Sequence, residues 1–204
     1  MQIMSCIIIN EMKKEKKGEI RIIGGKWKGK KIIFDLNDDL RPTPDRAKET
    51  LFNWLGQNLS EMNCLDLFSG TGALGLEAIS RGAKRVTFVE KNKDYLQKIK
   101  KLHLDMSVKE NCDFFCADCL NWVRNFKSEI KYDLIFIDPP FNKNLIDDLL
   151  TDILNKNLLS NGGKIYFEFE KKLDLKFPDS LSLKKEKSLG EKSYVLAEVI
   201  YPSS

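Results

Sequence analysis

Histidine is almost absent from this sequence, which has one, at position 103 in a lysine-rich stretch typical of a helix surface. This scarcity excludes a histidine-rich metal centre. Cys112, Cys116 and Cys119 are closely spaced, but no second cluster of cysteine or histidine completes a tetrahedral ligand set. The sequence therefore predicts no metal site.

Long apolar runs are also lacking. No stretch approaches the roughly 20 apolar residues that a membrane helix needs. The apolar start "MQIMSCIIIN" is followed by "EMKKEKK" rather than by a small-residue cleavage site. We therefore predict a cytoplasmic protein without membrane contact, in which residues 1–17 form a flexible extension.

The charge excess is small, with 34 Lys and Arg against 30 Asp and Glu, so only its distribution can indicate a nucleic-acid partner. It is uneven: residues 13–31 contain nine basic residues and two acidic ones. This basic segment is either a solvated face or a surface that contacts nucleic acid.

Strand-like and helix-like segments alternate along most of the chain, without internal repeats. The segment 18–34 has two β-prone runs around a Gly/Lys turn, which predicts a hairpin. A helix follows, with Thr43 as its N-cap and Pro44 in its first turn. The alternation predicts an α/β fold with a doubly wound, mostly parallel seven-stranded sheet, a small N-terminal β-hairpin and helix, and a terminal hairpin. Predicted strands are 64–68, 85–90, 112–117, 132–138, 162–170, 181–187 and 193–201; predicted helices are 72–81, 92–104, 118–126 and 144–156.

The stretch "LDLFSGTGALGLEA" (65–78) joins a buried strand to a helix through a glycine-rich turn. Gly70 and Gly72 allow a tight turn and a close approach of a ligand to the main chain. The helix N-terminus offers unpaired N–H groups to an anionic group. A dinucleotide site is the rival interpretation, but Gly70, Gly72 and Gly75 match its fingerprint only loosely.

Acidic residues stand at the ends of the next strands. Glu90 is placed to accept hydrogen bonds from ribose hydroxyls, and Asp118 to accept one from the amino group of adenine. Asp138 ends the strand in "YDLIFIDPPF" (132–141). Taken singly, each is an ordinary surface acid or strand terminator. Together they line one crevice at the carboxyl ends of the strands, where ligands bind in open α/β sheets.

Pro139 and Pro140 follow Asp138 directly. Two successive prolines remove two backbone donors and fix φ, so residues 138–141 are predicted to form a rigid loop outside the strand ladder.

The combination of Asp66, the glycine loop, Glu90, Asp118 and "DPPF" resembles a class I S-adenosylmethionine-dependent methyltransferase. The tetrad resembles the signature of enzymes that methylate exocyclic amino groups of bases. The resemblance implies that Asp138 and the Pro139 carbonyl accept the two N–H hydrogens of the amine. It also implies that Phe141 stacks on the extruded base.

The match extends to a narrower family. "RIIGGKWKGKKI", "RPTPDRAKETLFNWL", "LDLFSGTGALGLEAISRGA" and "IDPPF" follow the order found in the bacterial small-subunit rRNA guanine-N2 methyltransferase family, and the resemblance covers about residues 20–201. It implies that Arg41, Thr43 and Arg46 lie near the methionine end of the cofactor or at the mouth of the active site, although a simple helix cap also explains Thr43.

The resemblance implies the following assignments. The catalytic set is Asp138, Pro139, Pro140 and Phe141; the cofactor set is Asp66, Phe68, Ser69, Gly70, Gly72, Glu90, Asp118, Arg41 and Thr43; the RNA-facing set is Arg21, Lys26, Trp27, Lys28, Lys30, Lys31 and Arg46. Residues 18–59 would form the RNA-facing part and residues 60–204 the methyltransferase domain. The implied partner is 16S rRNA, in a partly assembled small ribosomal subunit, and we expect a monomer.

Three alternatives stay open from the residues alone. A DNA adenine-N6 methyltransferase shares the tetrad, but no separate target-recognition domain is visible in 204 residues. A nicotinamide-dependent oxidoreductase would need a second lobe or a placed hydride-transfer acid. A non-catalytic RNA-binding module would not need an intact "DPPF". Calorimetry with S-adenosylmethionine and with NAD separates the methyltransferases from the other classes.

Overall fold

A computed structural model describes residues 17–35, 43–106, 111–127, 129–139, 143–173, 175 and 177–201. The predicted extension, apart from Lys17, and the predicted site residues Arg41, Pro140 and Phe141 lie outside these ranges.

A seven-stranded sheet forms the centre of the molecule, with the strand order β5-β4-β3-β6-β7-β9-β8. The first five strands of this order run parallel, whereas β9 pairs antiparallel with both β7 and β8. The strands are β3 (Asn63–Leu67), β4 (Arg85–Glu90), β5 (Asn111–Cys116), β6 (Tyr132–Ile137), β7 (Leu159–Glu170), β8 (Leu181–Leu189) and β9 (Lys192–Val199). The predicted fold class and the terminal hairpin are thereby confirmed.

Helices connect the parallel strands and cover both faces of the sheet. They are α2 (Ala73–Ser80), α3 (Lys93–Asp105), α4 (Cys119–Asn125) and α5 (Lys143–Asn155). Alternate residues of β6 enter opposite cores: Phe136 belongs to the cluster with α2 and α3, and Ile137 to the cluster with α4 and α5. Burial on both faces explains why this strand is a nearly continuous apolar run.

The N-terminal hairpin pairs β1 (Lys17–Arg21) with β2 (Lys31–Asp35), and a short 3₁₀ helix spans Gly25–Trp27. The hairpin is attached to α2 by polar contacts. The Ser80 hydroxyl donates to the Gly24 carbonyl at 2.6 Å and accepts from the Trp27 N–H at 2.9 Å. Ile20, Ile22, Ile32 and Phe34 are buried in the same core as α2, so hairpin and sheet share apolar packing.

The helix after the hairpin, α1 (Asp45–Leu55), begins differently from the prediction. Its N-cap is Pro44, and no side chain caps it, so the prediction of Thr43 as N-cap is wrong. Pro44 has φ −59° and ψ 146°, the extended conformation of an N-cap, which places Thr43 one residue too early. The Thr43 hydroxyl instead donates to Asp138 Oδ2 at 3.4 Å.

Within the described ranges, no helix combines the length and the apolar character needed to cross a membrane.

Candidate active site

The glycine loop after β3 is held in an unusual backbone conformation. Phe68, Gly70 and Gly72 all have positive φ, at 61°, 51° and 75°. A positive φ is costly for phenylalanine, and such strain concentrates at ligand-binding sites. The Ser69 hydroxyl fixes the turn by donating to the carbonyls of Asp66, at 2.8 Å, and Val89, at 3.2 Å. The loop is therefore pre-formed by its own hydrogen bonds.

Asp66 lies at the end of β3 and is only 3% exposed. Its Oδ2 accepts the N–H of Gly75, at the start of α2, at 2.9 Å. Burial, against the lowering effect of the Gly75 hydrogen bond and with smaller contributions from the negative charges of Asp138 and Glu90, raises the pKa of Asp66 to about 8. Because Leu67 pairs with Val89 on β4 and with Ile137 on β6, the three carboxyl groups lie at the carboxyl ends of neighbouring strands.

Gly75 is required by packing and not by backbone conformation. A Cβ at this position would lie 2.2 Å from the Phe88 ring and 2.9 Å from Asp66 Oδ2. The third glycine of the stretch thus lets α2 approach β3 and β4 closely.

Glu90, at the end of β4, ties the glycine loop to the next helix. Its Oε2 accepts the Gly70 N–H at 2.9 Å, and its Oε1 accepts the Asn92 N–H at 2.8 Å. The side chain is 8% exposed, so it is held firmly at the rim of the crevice. Each carboxylate oxygen has a second lone pair, which leaves capacity to accept a hydroxyl.

Asp118 caps α4, where its Oδ1 accepts the Asn121 N–H at 3.0 Å. The Ala117 N–H donates to the Glu90 carbonyl at 3.1 Å, which brings the end of β5 beside the end of β4. Cys119, which the sequence interpretation did not assign, is buried, and its Sγ accepts the Phe68 N–H at 3.3 Å. This hydrogen bond helps to hold Phe68 in its strained conformation.

Asp138 follows the last residue of β6 and is half-buried, and Pro139 after it is buried. Two side chains from distant elements reach its carboxylate. Thr43 Oγ1 lies 3.4 Å from Oδ2, and Lys192 Nζ lies 3.3 Å from Oδ1. The strand tip is therefore part of a polar cluster and is more than a chain terminator.

The same lysine also binds a second acid. Lys192 Nζ lies 2.9 Å from Glu168 Oε2, and the Tyr166 hydroxyl donates to Glu168 Oε1 at 2.9 Å. Glu168 is 1% exposed. The sequence interpretation missed Lys192, Glu168 and Tyr166. The only available signal was an alternation of charge and aromatic residues in β7, which any exposed strand also shows.

The predicted RNA-facing lysines and arginines are exposed on the hairpin and the start of α1, whereas Trp27 is half-buried against the core. Arg21 pairs with Asp45 at 3.2 Å, Lys31 pairs with Glu19 at 3.0 Å, and the Lys26 ammonium lies 4.8 Å from the centre of the Trp27 ring. Lys28, Lys30 and Arg46 are exposed. A cleft of about 340 Å³ separates the hairpin from α1; it is lined by Glu19, Ile20, Arg21, Lys31, Thr43, Pro44 and Asp45.

Thr43 connects the cleft beside the hairpin with the polar cluster around Asp138. It lines this cleft, and it also contacts Asp138. The basic surface thus leads directly to the tip of β6. Among the described residues, no group of histidine, cysteine and acidic side chains is arranged to hold a metal ion.

Comparison with known proteins identifies the family. Residues 20–198 match the family described as conserved hypothetical protein 95. The chain is 40% identical to the ribosomal RNA small subunit methyltransferase D of Haemophilus influenzae, over 88% of this chain and 94% of that protein. It is 36% identical to the protein of the same name from Escherichia coli, over 88% of this chain and 89% of that protein.

Solved structures agree. A proposed methyltransferase from Escherichia coli superimposes with a TM-score of 0.79 at 33% identity, over 91% of this chain and all of that one. A proposed methylase from Haemophilus influenzae superimposes with a TM-score of 0.78 at 37% identity, over 90% of this chain and all of that one. A proposed methyltransferase solved in complex with SAH shares the fold, with a TM-score of 0.62 at 18% identity, over 83% of this chain and 53% of that one. The resemblance inferred from the motifs is confirmed: the chain belongs to the conserved hypothetical protein 95 family and is a relative of the small-subunit rRNA methyltransferase D proteins.

Proposed function

We propose that this protein transfers a methyl group from S-adenosylmethionine to the exocyclic N2 amine of a guanine in 16S rRNA. The observation that carries the proposal is the position of Asp138. Its carboxylate stands at the tip of a buried strand, near the glycine loop and joined through Thr43 to the basic surface of the hairpin. The names of the relatives support rRNA of the small subunit as the substrate class.

The residues at the ends of β3, β4 and β5 fit the cofactor. S-adenosylmethionine, when bound, supplies a methyl group on a positively charged sulfur. Glu90 has lone pairs left for the ribose diol, and Asp118 is placed for the adenine amino group. Asp66 at the end of β3 and the loop of Phe68, Ser69, Gly70 and Gly72 would lie beside the methionine part, and Thr43, just before α1, would face it. Arg41, outside the described residues, keeps its predicted place there.

The residues at the end of β6 fit the amine. The lone pair of an exocyclic amine is delocalised into the base, which makes the amine a poor nucleophile. Asp138 and the Pro139 carbonyl accept its two N–H hydrogens, and the nitrogen lone pair then turns toward the methyl group. The carboxylate also stabilises the positive charge that develops on the nitrogen. Pro140 stiffens this loop and Phe141 stacks on the base; both assignments keep their sequence basis, outside the described residues.

The hairpin fits the RNA. Lys28, Lys30 and Arg46 are exposed, and the ion pairs of Arg21 and Lys31 are exposed enough to exchange their acids for phosphates. Lys26 and Trp27 add a charge and a ring for stacking. We further propose that the protein acts as a cytoplasmic monomer on a partly assembled small subunit.

The decisive experiment uses small-subunit particles and naked 16S rRNA from cells that lack the protein. We expect transfer of labelled methyl from S-adenosylmethionine to the particles, and N2-methylguanosine at one position in nucleoside mass spectrometry. Label in adenine of DNA would replace the proposal with the DNA methyltransferase alternative. Binding of NAD in place of S-adenosylmethionine would indicate an oxidoreductase, and RNA binding without transfer would indicate a binding module.

The RNA-facing surface has its own test. The double variant Lys28→Glu, Lys30→Glu should weaken RNA binding. The slope of the logarithm of the binding constant against the logarithm of salt concentration should become shallower by about one unit for each lost phosphate contact. Affinity for S-adenosylmethionine should not change. The control is Lys100→Glu, Lys101→Glu, which reverses two exposed charges on α3. Equal RNA binding by both double variants would show that the hairpin is only a solvated face.

A further inference from the structure

Three neighbouring strands bring charged groups of opposite sign together behind Asp138. Ile137, which precedes Asp138, pairs with Phe167 on β7, so Asp138 comes level with Glu168. Lys192, on β9, pairs with Glu170 on β7, which makes it a diagonal neighbour of Glu168. The Lys192 ammonium thus sits between two carboxylates, 2.9 Å from Glu168 and 3.3 Å from Asp138.

We propose that Lys192, anchored by Glu168, is a positioning residue that fixes the Asp138 carboxylate for the amine. This role rests on the function proposed above. The lysine itself touches neither of the reacting atoms; it acts through Asp138. Glu168 is the anchor because it is almost fully buried and holds the ammonium at the shorter of the two distances.

The charges in this cluster explain why the arrangement suits methyl transfer. Two carboxylates and one ammonium leave one net negative charge beside an amine that becomes positive during the reaction. Without the ammonium, two carboxylates would face each other in a site with little water, and one of them would take up a proton. Lys192 therefore offsets the repulsion between the two carboxylates and holds that of Asp138 in one orientation.

Four described side chains surround Glu168. Tyr166, on the same strand, donates to Oε1, Tyr194 is its partner across the β7–β9 ladder, and Lys192 and Asp138 supply the nearby charges. Burial raises the pKa of Glu168 and the negative charge of Asp138 raises it further, whereas Lys192 lowers it. Burial lowers the pKa of Lys192, but the two carboxylates more than offset this and the net change is upward.

A titration by ¹³C NMR of the side-chain carboxyls tests the cluster without any substrate. In Lys192→Met, the midpoint of the Glu168 titration should rise by at least about one pH unit, the size expected when an opposite charge in contact is removed. Lys192→Arg keeps the charge and should stay close to the wild type. An unshifted midpoint in Lys192→Met would overturn the proposed cluster, whether or not the protein methylates RNA.

Single-turnover methylation at saturating cofactor tests the positioning role. Lys192→Met should slow transfer about 10- to 100-fold, the usual consequence of a misplaced group, with unchanged affinity for S-adenosylmethionine. Its pH–rate profile should move to higher pH, and that of Glu168→Gln to lower pH, because the first variant removes a positive charge and the second a negative one. A merely structural lysine would lower the melting temperature and leave both profiles in place.

A matched control is available at the same end of β7. Lys172 pairs with Glu170 at 2.7 Å but is 79% exposed, so Lys172→Met removes an ion pair remote from Asp138. It should keep the wild-type rate and profile. If Lys192→Met does not fold, Glu168→Gln tests the same cluster, since the amide still reaches Lys192 and Tyr166. Wild-type rates and profiles in both variants would overturn the positioning role, whereas a wild-type protein that transfers no methyl group would overturn the proposed function.

Discussion

The candidate site has two sides, and they are built by different means. On the cofactor side, Asp66 accepts a backbone N–H from the start of α2, and Glu90 accepts two from the turns after β3 and β4. On the amine side, Asp138 is held by the side chains of Thr43 and Lys192, which come from other parts of the chain. A surface assembled from local backbone is insensitive to most side-chain changes elsewhere. A carboxylate held by distant side chains can be tuned by each of them.

The largest expected effect is on the amine side. Asp138→Ala should slow the single turnover by raising the activation free energy by about 3–4 kcal/mol, since the carboxylate acts on the amine during transfer. Its affinity for the cofactor should stay the same. Asp138→Asn should lose about 1–3 kcal/mol, because its oxygen still accepts one N–H without the charge.

Asp133 provides the control for this comparison. It lies on the same strand, where its Oδ2 accepts the Asn63 N–H at 2.8 Å, away from the strand tip. Asp133→Ala should lower the melting temperature and leave the rate per folded molecule unchanged. Full activity of Asp138→Ala would mean that the strand tip only terminates the strand.

On the cofactor side, Glu90→Ala should weaken S-adenosylmethionine binding by about 1–3 kcal/mol, the cost of leaving hydrogen-bonding groups without a partner. Titration calorimetry measures the loss. Asp94→Ala, which removes an exposed acid in the first turn of α3, is the control. Unchanged affinity in Glu90→Ala would remove this residue from the cofactor site.

A smaller effect on stability should come from Gly75→Ala. The new methyl group would meet the Phe88 ring at 2.2 Å, and such crowding costs about 1–3 kcal/mol. Alanine is otherwise favoured over glycine inside a helix by about 1 kcal/mol. A net loss of stability would therefore show that the clash with Phe88 outweighs this gain. Chemical denaturation measures it, and a more stable variant would contradict the close packing of α2 on β4.

Per pH unit, the smallest effect is a gradual pH dependence of the free energy of unfolding. The pKa of Asp66 is about 8 in the folded protein, above its ordinary value of 3.8, so the folded state binds this proton more tightly than the unfolded state. The free energy of unfolding should therefore fall as pH rises from about 4 to about 8, by at most about 1.4 kcal/mol per pH unit for this group. Asp66→Asn, whose amide oxygen can still accept the Gly75 N–H, should flatten the slope in urea denaturation. An unchanged slope would exclude Asp66 as its source.

The contrast between the two sides also explains what the sequence could predict. Gly70, Gly72 and Glu90 could be placed because strand ends and glycine turns have local signatures, and parallel strands bring their carboxyl ends to one edge. Lys192 and Glu168 could not, because they meet only through the antiparallel pairing of β9 with β7, and no local pattern fixes the register. Thr43 was misassigned for a related reason: its partner, Asp138, is 95 positions away.

The order of the strands has a consequence for protein synthesis. Lys192 begins β9, the last of the described strands along the chain, yet β9 lies between β7 and β8 in the sheet. A nascent chain that has not yet extended past Lys192 contains Asp138 and Glu168 without the ammonium between them, and β7 without its neighbour. Such a chain should expose the edge of β7 to proteolysis and lack the complete cluster until β9 has been synthesised. Protease treatment of ribosome-stalled chains that end before and after β9 would reveal the difference, and equal protection of both would show that the sheet closes without its last strand.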